Sequence, residues 1–169
     1  MRDIWVISDT HFGHEGILKF KDDKDNVVRD FTCVADMDEL MIQNWNKVVK
    51  QGDLIYHLGD VFFGPKENFQ KMWPRLKGSK RLIVGNHDDI KYLSSGGFFQ
   101  KVMMWRCWKE FNMIMSHVPI HMSEERSSYN VHGHIHQNNS PTKDHYNVCV
   151  EKQNYCPIHI EDLAERMKK

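Results

Sequence analysis

Six short apolar runs punctuate this chain, and five of them lead into Asp, Asn or His. They are Ile4-Trp5-Val6-Ile7, Leu54-Ile55-Tyr56, Leu82-Ile83-Val84, Met113-Ile114-Met115, Tyr129-Asn130-Val131 and Val148-Cys149-Val150. Runs this short and this rich in β-branched residues suit strands buried on both faces. The polar signatures that follow come in a fixed order: Asp9-Thr10-His11, Gly59-Asp60, Gly85-Asn86-His87-Asp88, His117, and Gly133-His134-Ile135-His136. A fold that aligns such strands gathers its chemistry at one edge.

Helical patterns lie between the runs. From Met37 to Val49 the apolar residues keep a 3.6 period, with Asp36 and Glu39 resembling a capping box and Gly52 available to end the helix. A second helix is predicted over about residues 66–76, shortened or bent by Pro74, and a last one over about 161–168. The stretch 102–115 reads as two antiparallel strands turning near 109–112. Residues 21–35 and 121–128 read as loops. Strands alternating with helices predict an α/β fold: a layered sandwich of mixed sheets flanked by helices, its site at the C-terminal ends of the strands.

With 169 residues and no linker, residues 1–169 are expected to form one domain. Acids and bases balance at 23 each, so no global charge favours nucleic acid or an anionic membrane. No apolar stretch approaches the roughly 20 residues that cross a bilayer. Four scattered cysteines without a C-x-x-C pair read as reduced thiols. The first strand starts so early that no signal peptide precedes it, and a cytoplasmic location follows as the expectation.

Taken singly, the signatures are weak, because a strand-end Asp is usually a turn or cap residue and a His is usually structural. Taken as an ordered set they point to metal. In D-x-H and H-x-H, residues two apart on an extended segment face the same way. The glycines before Asp60, Asn86 and His134 allow close approach of backbone to a ligand. Imidazole with carboxylate suits zinc, iron, manganese or nickel better than calcium. Asp60, between the outer ligand sets and carrying two oxygens, is the natural bridge.

The order D-x-H, G-D, G-N-H-D, H, G-H-x-H resembles the calcineurin-like metallophosphoesterases. Asn44-Trp45-Asn46, Tyr56-His57-Leu58-Gly59-Asp60 and Asn154-Tyr155-Cys156-Pro157-Ile158 resemble a small bacterial and phage branch of that family. The resemblance implies two divalent ions, manganese first, with iron, zinc or nickel also fitting. One ion would be held by Asp9, His11, Asp60 and His136, the other by Asp60, Asn86, His117 and His134. It implies in-line attack of a bridging hydroxide on a small phosphate ester or nucleotide, with His87 as general acid and Asp88 orienting it. Asn86, His87 and His14 would meet the substrate. A phosphodiesterase is the first expectation. A phosphomonoesterase acting on nucleotide or protein is the alternative, and a metal-binding scaffold without catalysis is a third.

Other residues carry weaker expectations. Arg29 is read as exposed, with a phosphate contact as the alternative. His57 is read as packing in the core or supporting a ligand. His121 and His132 flank ligand positions. Trp73, Trp105, Trp108, Phe98 and Phe99 could stack on a base, but such aromatics more often cover a core or hairpin.

Overall fold

The computed structural model describes residues 2–123 and 128–168. In chain order its elements are β1 (Ile4–Ile7), α1 (Val34–Val48), β2 (Leu54–His57), α2 (Lys66–Met72), β3 (Ser79–Ile83), α3 (Ile90–Ser95), β4 (Lys101–Met103), β5 (Trp105–Trp108), β6 (Met113–Ser116), β7 (Tyr129–His132), β8 (His145–Asn147), β9 (Ile158–His159) and α4 (Ile160–Met167). Two sheets result, ordered β4-β3-β2-β1-β9 and β5-β6-β7-β8. Strands β1 to β4 run parallel, as do β6 to β8, while β9 and β5 are antiparallel edges.

Alternation along the strands builds the layers. Ile7, Ile55 and Leu82 face a cluster with Met37, Met41 and Trp45 of α1, Phe69 of α2 and Leu93 of α3. Their neighbours Val6, Leu54, Tyr56 and Ile83 face Met113, Met115 and Val131 of the second sheet and Leu163 of α4. The first sheet is therefore covered on both sides, which is why its strands read as unbroken apolar runs. The mixed sheets and flanking helices are the predicted α/β sandwich. The described residues include no helix long and apolar enough to cross a membrane.

Several local expectations are corrected. Val148–Val150 is not a strand. The strand is β8, just upstream, and Asn147 Oδ1 then accepts the Cys149 N–H at 2.9 Å and turns the chain. Only a single bridge to Ser8 remains, before a 3-10 turn at Val150–Lys152. The run is apolar because it is fully buried, not because it is extended. Helix α1 starts at Val34, after an extended Cys33, so Asp36 lies inside the first turn and no capping box forms. Glu39 instead accepts from Arg75 at 2.7 Å. Residues 102–115 hold the predicted hairpin, β5 and β6, but their first residues belong to β4 in the other sheet. Pro74 ends α2 in a 3-10 turn. The short helix α3 and strand β9 carry no periodic signal. Of the predicted loop 121–128, residues 124–127 lie outside the described residues.

Candidate metal centre

The loops after β1, β2, β3, β6 and β7 meet at one edge. They are stitched side by side: the Asp9 and His11 N–H groups donate to the Gly59 and Asp60 carbonyls at 3.0 Å, and the Gly133 N–H donates to the His117 carbonyl at 2.8 Å. Asp9, His11, Asp60, His134 and His136 all adopt left-handed backbone, with φ of 57°, 47°, 55°, 70° and 49°. Such conformations cost a non-glycine residue about 1–2 kcal/mol each. Nine described non-glycine residues have positive φ, and these five gather at one site. The strain is concentrated where it aims side chains. This corrects the extended reading of D-x-H and H-x-H: the side chains converge through left-handed turns, not through strand alternation.

Two groups of ligand atoms form, each within 4.8 Å: Asp9, His11 and His136, and Asp60, His117 and His134. The H-x-H pair is thus divided between them. Asp60 Oδ1 accepts the His87 N–H at 2.9 Å, which leaves Oδ2 free. That oxygen lies 3.6 Å from His11 Nε2 and 3.5 Å from His117 Nε2, one imidazole from each group. Asn86 Oδ1 lies 2.8 Å from His117 Nε2 and 2.9 Å from His134 Nδ1, so it joins the second group.

The donor set fits cations. Asp9 Oδ1 and both nitrogens of His11 are buried without hydrogen-bond partners. Burial at that depth without a partner costs several kcal/mol for an ionised group unless a counter-charge sits opposite. His117 Nδ1 lies 2.7 Å from the Leu58 carbonyl, an acceptor, so Nδ1 carries the proton. In the neutral ring its Nε2 lone pair then faces two oxygens, Asn86 Oδ1 and Asp60 Oδ2. A cation between them removes that repulsion.

Supports surround the candidate ligands, as they do in well-oriented metal sites. Asp9 Oδ2 accepts from the Ser8 hydroxyl, the His134 N–H at 2.9 Å and the Cys149 thiol at 3.2 Å. Burial acts to raise the Asp9 pKa, but His11, His117, His136 and Ser8 outweigh it and hold the carboxyl well below the usual range. His136 Nδ1 pairs with Glu151 Oε1 at 2.8 Å, which turns Nε2 inward. Burial opposes charge on both partners, yet their pairing raises the His136 pKa and lowers that of Glu151.

Arg29 corrects its expectation most sharply. It is 0% exposed. Its guanidinium donates to Glu151 Oε1 at 2.8 Å, to the Thr10 carbonyl at 2.9 Å and to the Asp9 carbonyl at 2.6 Å. Sequence reading missed Glu151 altogether. Asp88, predicted to orient His87, is bonded elsewhere. Its carboxylate accepts from the main-chain N–H of Asp60 (3.0 Å), Val61 (2.9 Å) and Gly85 (2.8 Å), which locks the β2 and β3 loops together. Gly85 permits that contact, since a Cβ there would collide with the Asp60 carboxylate and main chain.

His87 is exposed at the rim, with its ring 6.0 Å from His11 and 5.8 Å from Phe63. His14 packs against Phe63 with ring centres 4.4 Å apart and tilted by 33°, and it lies 5.5 Å from His11; burial lowers its pKa to about 4. His132 bonds Ser140, and His121 is exposed and belongs to neither group. Trp73, Phe98 and Phe99 are packed around the core, and Trp108 packs on Tyr56. Trp105 alone of the predicted stacking aromatics stands largely exposed.

His57 sits beneath the site, fully buried. The Gly59 N–H donates to its Nδ1 at 3.2 Å, and its Nε2–H donates to Thr10 Oγ1 at 2.9 Å, because the threonine proton goes to the Val61 carbonyl. Burial lowers its pKa to about 3. The unfolded chain therefore takes up a proton below pH 6.5 that the folded chain refuses. Stability is full above that pH and falls as pH drops toward about 3, by about 1.4 kcal/mol per pH unit from this group. Urea denaturation of metal-free protein between pH 7 and 4 should show the slope, and His57→Gln should flatten it. Equal slopes would remove the assignment.

A model of the calcineurin-like phosphoesterases matches residues 2–162. The chain belongs to the calcineurin-like phosphoesterase family. It is similar to an uncharacterized protein of Methanocaldococcus jannaschii, at 30% identity over all of this chain and 93% of that one. It is similar to the gene 66 protein of Mycobacterium phage L5, at 32% identity over 52% of this chain and 41% of that one. A crystal structure of a protein of unknown function from Aquifex aeolicus superposes with a TM-score of 0.76, covering 98% of this chain and 99% of that one at 27% identity. Family membership and the two ligand groups support a metal-dependent phosphoesterase with a binuclear divalent-metal site.

Proposed function

We propose that this calcineurin-like phosphoesterase is a phosphodiesterase, with Asp60 bridging two divalent ions, manganese first among them. Asp9, His11 and His136 complete one ligand set, and Asn86, His117 and His134 complete the other. The observation that carries this reading is the position of Asp60 Oδ2, almost equidistant from His11 and His117 across the two groups. When bound, two such ions neutralise phosphoryl oxygens and lower the pKa of water enough to supply hydroxide near neutral pH.

The chain's own residues do the rest. Asn86 stands exposed at the rim, where its amide can meet a phosphoryl oxygen as well as a metal. His87, next along, has an unhindered ring whose proton can reach a departing oxygen. Asp88 fixes the loop that carries both. An open rim suits a diester with a substituent on either side of phosphorus.

Two measurements test this. Rates of the manganese-reconstituted chain on bis(4-nitrophenyl) phosphate and on 4-nitrophenyl phosphate should favour the diester. A markedly faster monoester reaction would make it a phosphatase. His87→Asn should keep both metals and slow alkyl esters by about 10²–10⁴-fold, the usual worth of a positioned acid. Nitrophenyl esters, whose leaving group needs no proton, should suffer less. Loss of metal in that variant would make His87 a ligand.

A further inference from the structure

Beside the second ligand group the surface opens into a cleft of about 530 Å³ that Asn86 and His117 line on the side of the candidate metal site. Its walls are Ile90, Met104, Trp105 and Val118, exposed by 50%, 59%, 64% and 43%. Eight large hydrophobic side chains are exposed among the described residues, and half of them line this one cleft. Scattered apolar side chains need no explanation, but a cluster at the lip of a catalytic centre does.

The fold makes the cleft. Strand β4 ends one edge of the first sheet and β5 begins the edge of the second, joined only by Met104. The chain crosses the gap between the sheets there and presents Met104 and Trp105 outward. Loops after β3 and β6 supply the opposite wall.

The polar groups of the cleft are already engaged. Asp88 uses both carboxylate oxygens on main-chain amides, and the Ser116 hydroxyl donates to the Val118 carbonyl at 2.7 Å. Among the described residues, no lining side chain other than Asn86 and His117 is free to bind a charged or strongly polar group. The volume lies in the range of small-molecule sites, which are mostly apolar with a few fixed polar groups.

We infer that this cleft binds the retained substituent of the diester, an aromatic or otherwise apolar group such as a nucleobase or an aryl alcohol. The side follows from His87, whose ring lies toward His11 and Phe63 and does not line the cleft. With the leaving oxygen at His87, the group that stays on phosphorus is the one turned toward His117. A monoester has no such group. The inference rests on the ligand and acid assignments above and deepens them by giving the diester a reason.

The test holds the leaving group constant. The manganese-reconstituted full chain is assayed on bis(4-nitrophenyl) phosphate and methyl 4-nitrophenyl phosphate. Trp105→Ala should lower kcat/KM on the bis-aryl ester about tenfold more than on the methyl ester, mainly through KM, as loss of one stacking surface predicts. Val118→Asp should act in the same direction. Calorimetry gives a second arm without turnover: phenylphosphonate should bind about tenfold more tightly than methylphosphonate, an advantage that Trp105→Ala removes.

Equal losses on the two esters in both variants, with hydrolysis intact, would overturn the cleft and leave the phosphodiesterase reading standing. Phenylphosphonate preference without turnover of any ester would do the reverse. A concentration-dependent dimer in light scattering that Trp105→Ala dissolves would assign the cleft to a second copy of the chain and overturn the proposal.

Discussion

Asp60→Asn is expected to lower the metal content of both positions and to reduce hydrolysis by more than about 10²-fold. Even groups that only support metal ligands are worth about 10–100-fold, and in the proposed arrangement Asp60 would touch both ions. Its two oxygens have different duties. Oδ1 accepts the His87 N–H at 2.9 Å, and Oδ2 lies between His11 and His117. Asparagine offers one acceptor and one donor. The amide oxygen must stay on the His87 N–H, so the amide nitrogen turns toward the cations. Two changes then add up at one atom: a negative charge is lost, and a lone pair is replaced by N–H donors.

Asp9 provides the internal control. Asp9 Oδ2 accepts three donors, and only Oδ1 looks into the site. The same substitution there should empty the position of His11 and His136 and leave the other largely filled. Elemental analysis of purified variants reads both outcomes directly. Near-normal metal content and rate in Asp60→Asn would remove the bridge from the mechanism.

The candidate ligand groups were readable in the sequence because each is local in two ways. Each residue sits just past an apolar run, and for all but His117 a glycine or a partner ligand residue lies one or two positions away. What the sequence could not convey was how the turns aim them. Asp9, His11, Asp60, His134 and His136 adopt left-handed backbone, and nothing in D-x-H or H-x-H marks that choice, since it is imposed by the neighbouring loop. The run Val148–Val150 shows the matching limit in the fold. Full burial makes a segment apolar whether or not it is extended, and only the Asn147 side chain, bonded to the Cys149 N–H, decides that it turns.

Arg29 and Glu151 mark the furthest reach of that limit. They are 122 positions apart and meet only in the folded chain. Arg29 lies in a polar segment without periodicity, next to Asp30, where exposure is the natural reading. The signal that could have found it is indirect: the Asp9 and Thr10 carbonyls in the first loop and a buried carboxylate near His136 needed a donor with several N–H groups in a fixed fork. Arginine is the one side chain with that geometry.

Arg29→Met should therefore lower stability by about 3–5 kcal/mol, the usual cost of stripping one partner from a buried ion pair. For a chain of this size that is roughly a 10 °C fall in Tm. The cause is what remains behind. Glu151 keeps a buried charge with only His136 to answer it, its Oε2 already lacking any partner, and the Asp9 and Thr10 carbonyls lose their donors. A second change separates these effects. Adding Glu151→Gln removes the orphaned charge and should recover part of the stability. It should not recover metal at the position of His11 and His136, because the loop carrying Asp9 stays unbraced and His136 loses its anionic anchor. Urea denaturation of the metal-free variants measures the first effect, and metal titration of the folded variants measures the second. A Tm within about 2 °C of the parent for Arg29→Met would mean that the buried guanidinium contributes little net stability. Full metal binding in the double variant would mean that the ligands hold their aim without it.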